Sequence, residues 1–266
     1  MTDPVLIPDE PYVLRTDCAG VSTLTLNRPQ QMNVLSQAMI AALQAQLDAI
    51  ASDTSVRLVV LAGAGKAFCA GHDLKEMQAN RNPRFIQTLF KQCSKMMMTL
   101  TRMPQPVIAR VHGIATAAGC QLVAMCDLAV AAEAARFATS GINAGLFCAT
   151  PGVALSRNLG RKQALEMLLT GHFIDAQSAL QQGLVNRVVS ISALDQEIAK
   201  LAQAIVAKSS VAVGMGKQMF YQQLDMGLDA AYQYAAEVMA CNLMSEDAAE
   251  GIAAFVDKRA AVWTGR

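Results

Sequence analysis

The stretch PVIARVHGIATAAGCQLVAMCDLAVA, residues 106–131, reads as strand, loop, helix and strand in 26 residues. Residues 106–111 form an apolar, β-branched run broken only by Arg110, and residues 128–131 (LAVA) have the same character. Between them, residues 115–127 (ATAAGCQLVAMCD) read as a buried helix whose first turn is built from small residues. Two buried strands joined by a helix need a crossover and therefore pair in parallel, the repeating unit of an α/β fold. A helix start bares unpaired N–H groups. Here the one large polar side chain near them is an uncharged amide, Gln121.

The same alternation extends outward. Residues 22–26 alternate in polarity and residues 57–61 (RLVVL) read as a buried strand, with amphipathic helices over about 36–51 and 84–100 between the strands. Further on, Thr150 reads as a helix N-cap with Pro151 at the first helical position and Gly160 as the stop. Asp175 reads as the cap of a short helix ending at Gly183, residues 185–189 as a last strand, and about 194–207 and 228–256 as helices. The expected organisation is an α/β core over 1–195 and a helical C-terminal region over 196–266. Apolar residues on more than one face of the last helix (Ala231, Tyr234, Val238, Met239, Leu243) point to packing against another surface, its own core or a second subunit, and homo-oligomerisation is expected.

Composition narrows the function classes. The chain has 266 residues and a formal net charge of +1, which argues against nucleic acid as the main partner. Arg110, His112, Gln121 and Asp127 interrupt the most apolar region, so no membrane span is expected. The N-terminal residues MTDPVLIPDEP lack the apolar core of a signal peptide, and the seven cysteines show neither metal-ligand spacing nor a disulfide framework. A cytoplasmic protein with reduced thiols and no metal is the expectation.

Two strand-to-helix connections carry unusual chemistry: residues 63–75 (GAGKAFCAGHDLK) and residues 112–118 (HGIATAA). In a parallel sheet such loops gather beyond the carboxyl ends of the strands, where ligands bind. An N–H at the His72–Asp73 turn and one near Ala118 would then converge as an oxyanion hole, helped by a helix dipole. The Gly-x-Gly at 63–65 lacks the third glycine of a dinucleotide fingerprint, and no phosphate-binding loop is present.

At these residues the chain resembles the enoyl-CoA hydratase/isomerase, or crotonase, family. The matching segments are LNRP (26–29) with Asn33, RLVVL (57–61), AFCAGHDLKEM (67–77), residues 106–131, LTGHFIDAQSALQQGLVNRVV (169–189) and EGIAAFVDKR (250–259). The resemblance implies a crotonase-like spiral of ββα units, a helical C-terminal region used for trimerisation, and a homotrimer or dimer of trimers. It implies an acyl-CoA substrate, with coenzyme A as part of that substrate and no tightly bound cofactor. Carried over by position, the backbone N–H groups of His72 and Ala118 are the oxyanion donors that stabilise a thioester enolate. Ala70, Asp73 and Leu74 lie along the adenine and pantetheine arm, and Arg28 and Lys258 are basic positions near coenzyme A.

The pattern breaks at the two acid–base positions. A hydratase of this family uses two glutamates; here the positions hold Gln121, in GCQL, and Gly141, in FATSGI. An amide cannot exchange a proton as a carboxyl does, and each lost partner typically costs about 10²–10⁴-fold. The His72 imidazole, titrating near neutral pH, is the first substitute, followed by Ser140, Asn143, Cys148 and Thr150. Slow hydration, double-bond isomerisation, thioester cleavage and decarboxylation through an enolate all stay open. The alternative is a non-catalytic acyl-CoA-binding or scaffolding protein.

Overall fold

The computed structural model of the protein describes residues 10–266. The strands are β1 (Val13–Cys18), β2 (Val21–Leu26), β3 (Leu58–Gly63), β4 (Ala67–Cys69), β5 (Val107–Val111), β6 (Ile114–Thr116), β7 (Leu128–Ala132), β8 (Arg136–Ala138), β9 (Ile174–Asp175) and β10 (Arg187–Val189). The helices are α1 (Gln37–Ala51), α2 (Leu74–Ala79), α3 (Pro83–Arg102), α4 (Ala118–Met125), α5 (Ala149–Leu155), α6 (Arg161–Thr170), α7 (Ala176–Gln182), α8 (Leu194–Val206), α9 (Ser210–Gln223), α10 (Leu228–Leu243) and α11 (Glu246–Val256).

Three successive units β3-β4-α2, β5-β6-α4 and β7-β8-α5 build the spiral. The first strand of each joins a six-stranded sheet of order β1-β2-β3-β5-β7-β10, and the second joins a four-stranded sheet of order β4-β6-β8-β9. All pairings from β2 to β10 in the large sheet are parallel, and β1 alone closes its edge antiparallel. Strands buried on both faces read as continuous apolar runs, which is why β3, β5 and β7 were legible. One face of the large sheet meets α1, α3 and α4 in the main core. On the other face Leu194, Ile198 and Ala202 of α8 cover Leu58, Val60, Ile108 and Val130.

Several expectations are corrected. The two functional loops are not simple strand-to-helix turns, because each contains a three-residue strand, β4 or β6, too short to show a period. Cys148, not Thr150, is the N-cap of α5, and that helix stops at Leu155 rather than Gly160. The chain unwinds there through i→i+3 turns at Arg157 and Asn158, and Asn158 Nδ2 donates to Ala124 O and Ala154 O. Gly160 instead opens α6, whose Gln163 side chain accepts from the Gly160 N–H. The single helix expected over 228–256 is two, α10 and α11, with Ser245 capping the second by accepting from Ala248 N. The helix α9 escaped the sequence reading altogether. Asp175 does cap α7 and Gly183 ends it in the left-handed conformation.

Candidate active site

The small sheet sets the geometry. β4, β6 and β8 run parallel, with Ala67 beside Ile114, Cys69 beside Ala115, and Ala115–Thr116 beside Phe137–Ala138. Their carboxyl ends therefore deliver three neighbouring segments: 70–72, 117–118 and 139–141. Asn33, fully buried, fastens the first of them. Its Nδ2 donates to Ala64 O, Ala67 O and Phe68 O while its Oδ1 accepts from Arg28 N.

Glycines bring the first two segments into contact. A Cβ on Gly119 would lie 2.0 Å from Cys69 O, so only glycine lets the start of α4 rest on the end of β4. Gly71, at φ +92°, faces the same helix start; a Cβ there would lie 2.8 Å from Ala117 Cβ and 3.2 Å from Ala118 N. The peptide leading to His72 and the amide of Ala118 are thus direct neighbours. Ala118 is the first residue of α4, its N-cap Ala117 offers no side-chain acceptor, and it is 1% exposed. Among the described residues neither the Ala118 nor the His72 N–H has a protein acceptor. Two unpaired, neighbouring donors, one at the positive end of a helix, are what an oxygen that gains negative charge requires.

Two neutral polar side chains lie on the same segments. Gln121, 5% exposed, stands one turn along α4, and its Oε1 is buried without a partner. The His72 ring packs edge-on to Phe90 with centroids 5.0 Å apart, and its Nε2 is also buried without a partner. Burial holds the His72 imidazole down, at about 4, which corrects the expectation of a group titrating near neutral pH. Gly141 lies in a 3-10 turn, Ser140–Ala144, and a Cβ there would meet Cys148 Sγ at 2.7 Å and Leu146 O at 2.8 Å. No larger side chain fits at 141 without moving that backbone.

The other candidates take up local roles. Ser140 Oγ and Thr116 Oγ1 are 2.8 Å apart, tying the second segment to the third. The buried Cys148 thiol sits against the Gly141 amide, and burial raises its pKa, which removes it as a ready nucleophile. Thr150 is inside the first turn of α5 and Asn143 is exposed beside Gly171. Asp73 caps α2 by accepting from Lys75 N and Glu76 N, and Leu74 is 55% exposed beside it. Ala70 donates its N–H to Met32 O. The Arg28 guanidinium stacks 3.7 Å from the Tyr12 ring and donates to Glu10 O, Pro11 O and Asn27 O, which anchors the segment before β1. Lys258 is exposed at φ 54° just beyond α11, whose neighbours are α9 and α10.

Residue reasoning overlooked Gly71, Ala117 and Gly119 as the parts that assemble the donors. Their signal was the run of small residues in 115–119, whose meaning depends on which neighbour approaches. A separate cavity of about 840 Å³ lies across the large sheet, between Val21, Thr23, Val60 and Ala62 on one side and Ile198 and Ala202 of α8 on the other. None of the donor residues lines it.

Comparison with known proteins supplies a second line. Residues 16–266 match the family described as enoyl-CoA hydratase/isomerase. The chain is 46% identical over 245 residues to the mitochondrial enoyl-CoA hydratase domain-containing protein 3 of Xenopus laevis, spanning 92% of this chain and 83% of that protein. A solved structure of an enoyl-CoA hydratase from Mycobacterium smegmatis is 59% identical, with a TM-score of 0.94 over 96% of this chain and 99% of the other. The human enoyl-CoA hydratase domain-containing protein 3 structure is 43% identical, with a TM-score of 0.93 over 95% and 100% of the two chains. The name of the frog relative places it in mitochondria, which does not fit the cytoplasmic expectation.

Proposed function

The chain belongs to the enoyl-CoA hydratase/isomerase family, and on that premise we propose that it binds an acyl-CoA thioester with the carbonyl oxygen between the His72 and Ala118 amides. The observation that carries this reading is the contact of Gly71 with Ala117 and Ala118, which leaves two unpaired donors side by side. Polarised by both, the thioester oxygen takes up charge as an enolate, and the buried setting strengthens each bond. Ala70, Asp73 and Leu74 border the pantetheine arm, with Leu74 giving it apolar surface. Arg28 and Lys258 serve the nucleotide end, and a homotrimer or dimer of trimers is the working assembly.

Standard hydration lacks its acid–base pair. Gln121 holds an amide where a carboxyl would move a proton, and the neutral His72 is a weak base at pH 7. Of the reactions left open, decarboxylation needs no protein base: the bond from the α-carbon to a β-carboxylate breaks, carbon dioxide leaves, the electron pair becomes the enolate held by the two amides, and water returns a proton to the α-carbon. The amide at Gln121 and the neutral His72 also favour a second reading, acyl-CoA binding without turnover.

Loss of the conjugated absorbance of crotonyl-CoA tests both, with wild type beside Gln121→Glu. Gly141→Glu is unsuitable, because Leu146 O and Cys148 fill its space. Slow or absent wild-type hydration, with a gain of at least about tenfold in Gln121→Glu, supports an intact oxyanion site without its acid. Rapid wild-type hydration overturns the role given to the missing glutamates. Absence of thioester binding overturns both readings.

A further inference from the structure

Ala117, immediately before the Ala118 donor, holds φ 51° and ψ −120°. These are the torsions of the first corner of a type II′ turn, where glycine is at ease and L-residues are rare. Rotation about ψ of residue 117 turns the 117–118 peptide and so aims the Ala118 N–H. Rotation about ψ of residue 71 does the same for the His72 N–H. One of these pivots is a glycine and the other an alanine, and they face each other: a Cβ built on Gly71 would lie 2.8 Å from Ala117 Cβ.

Both peptides around Ala117 are held. Its N–H donates to Ala138 O at 2.9 Å, and its carbonyl accepts from Gln121 N at 3.1 Å. Thr116 pairs with Ala138 in the small sheet, and its hydroxyl is bound to Ser140. These ties keep a non-glycine residue in a torsion it would otherwise leave. A glycine at 117 would meet the same torsion without strain and would leave open space against Gly71.

We propose that Ala117 is a positioning residue: its methyl, set against Gly71, fixes the direction and spacing of the His72 and Ala118 amide donors. The inference rests on the oxyanion reading above and adds to it the part that aligns the hole. Ala117 touches no reacting atom in this scheme.

Acetoacetyl-CoA is the probe, because its enolate has an ultraviolet band that its keto form lacks. Purified full-length wild type, Ala117→Gly and Ala117→Ser are titrated with it over a range of pH, and coenzyme A alone provides a control for binding. Wild type and Ala117→Ser, which keeps Cβ, should lower the pH at which bound acetoacetyl-CoA enolises. Ala117→Gly should bind coenzyme A within about twofold of wild type yet enolise the probe about one pH unit higher, about a tenfold loss of enolate stabilisation. A thermal midpoint for Ala117→Gly at or above that of wild type accompanies the expected result, since glycine relieves the torsion. An Ala117→Gly protein with the wild-type enolisation midpoint overturns the inference. A wild type that binds the probe with no shift in enolisation overturns the oxyanion reading, and the inference falls with it.

Discussion

Gln121 and His72 stand beside the amide pair as neutral groups, one by chemistry and the other by burial. The His72 pKa in the folded protein, about 4, lies below the 6.5 of a free imidazole. The unfolded chain therefore binds its proton first, so His72 costs nothing above pH 6.5 and progressively lowers stability as pH falls from 6.5 to 4. His72→Gln should lose about 2 kcal/mol less than wild type between pH 7 and 4.5 in urea unfolding. Equal losses would show that the ring is not held neutral. The sequence reading named His72, Ala118, Gln121 and Gly141 together, and the fold carries them on segments that follow adjacent strands. It missed the state of the imidazole, because desolvation by Phe90 is a contact between loop and helix that no spacing along the chain reveals.

At the scale of elements, α9 is fastened to the core by a largely buried ion pair. Lys217 Nζ on α9 donates to Asp127 Oδ2 at 2.7 Å, and also to Leu100 O and Gln105 O. Asp127 in turn accepts from Val107 N at 2.6 Å. One ammonium thus joins α9 to the end of α3, the segment before β5 and the turn before β7. Removing it leaves a largely desolvated carboxylate and two carbonyls without their cation. Lys217→Met should cost about 3–5 kcal/mol in denaturant unfolding, and a loss below about 1 kcal/mol would contradict the role. The sequence offered no hint of this, since α9 itself was not read and the partner of Lys217 is 90 residues away. The short strands β4, β6 and β8 were equally hidden. Three residues cannot display a period of two, and their partners lie in other ββα units far along the chain.

For the whole molecule, the C-terminal helices leave much apolar surface uncovered. Phe255 is 85% exposed, Met244 84%, Leu228 76% and Tyr232 72%. Patches of this kind mark association surfaces. Light scattering of the purified protein should give a multiple of the 28.3 kDa chain, and Met244→Glu with Phe255→Glu should shift it toward that single-chain mass. A wild type that runs as a monomer at micromolar concentration would contradict the assembly. The spiral itself was legible only through the family's motifs. Periodicity alone yields a parallel α/β core and cannot tell one crossover scheme from another, because β2, β3, β5 and β7 would read alike in any of them.

The most direct test is the infrared carbonyl band of a bound acyl-CoA carrying ¹³C at the thioester carbon, measured as a difference against the unlabelled ligand. Two amide donors on one oxygen should move the band to lower frequency than in water, and Ala117→Gly should return part of that shift. A bound thioester whose carbonyl absorbs where it does in water would mean that the His72 and Ala118 amides do not hold it, and the proposed site would be wrong.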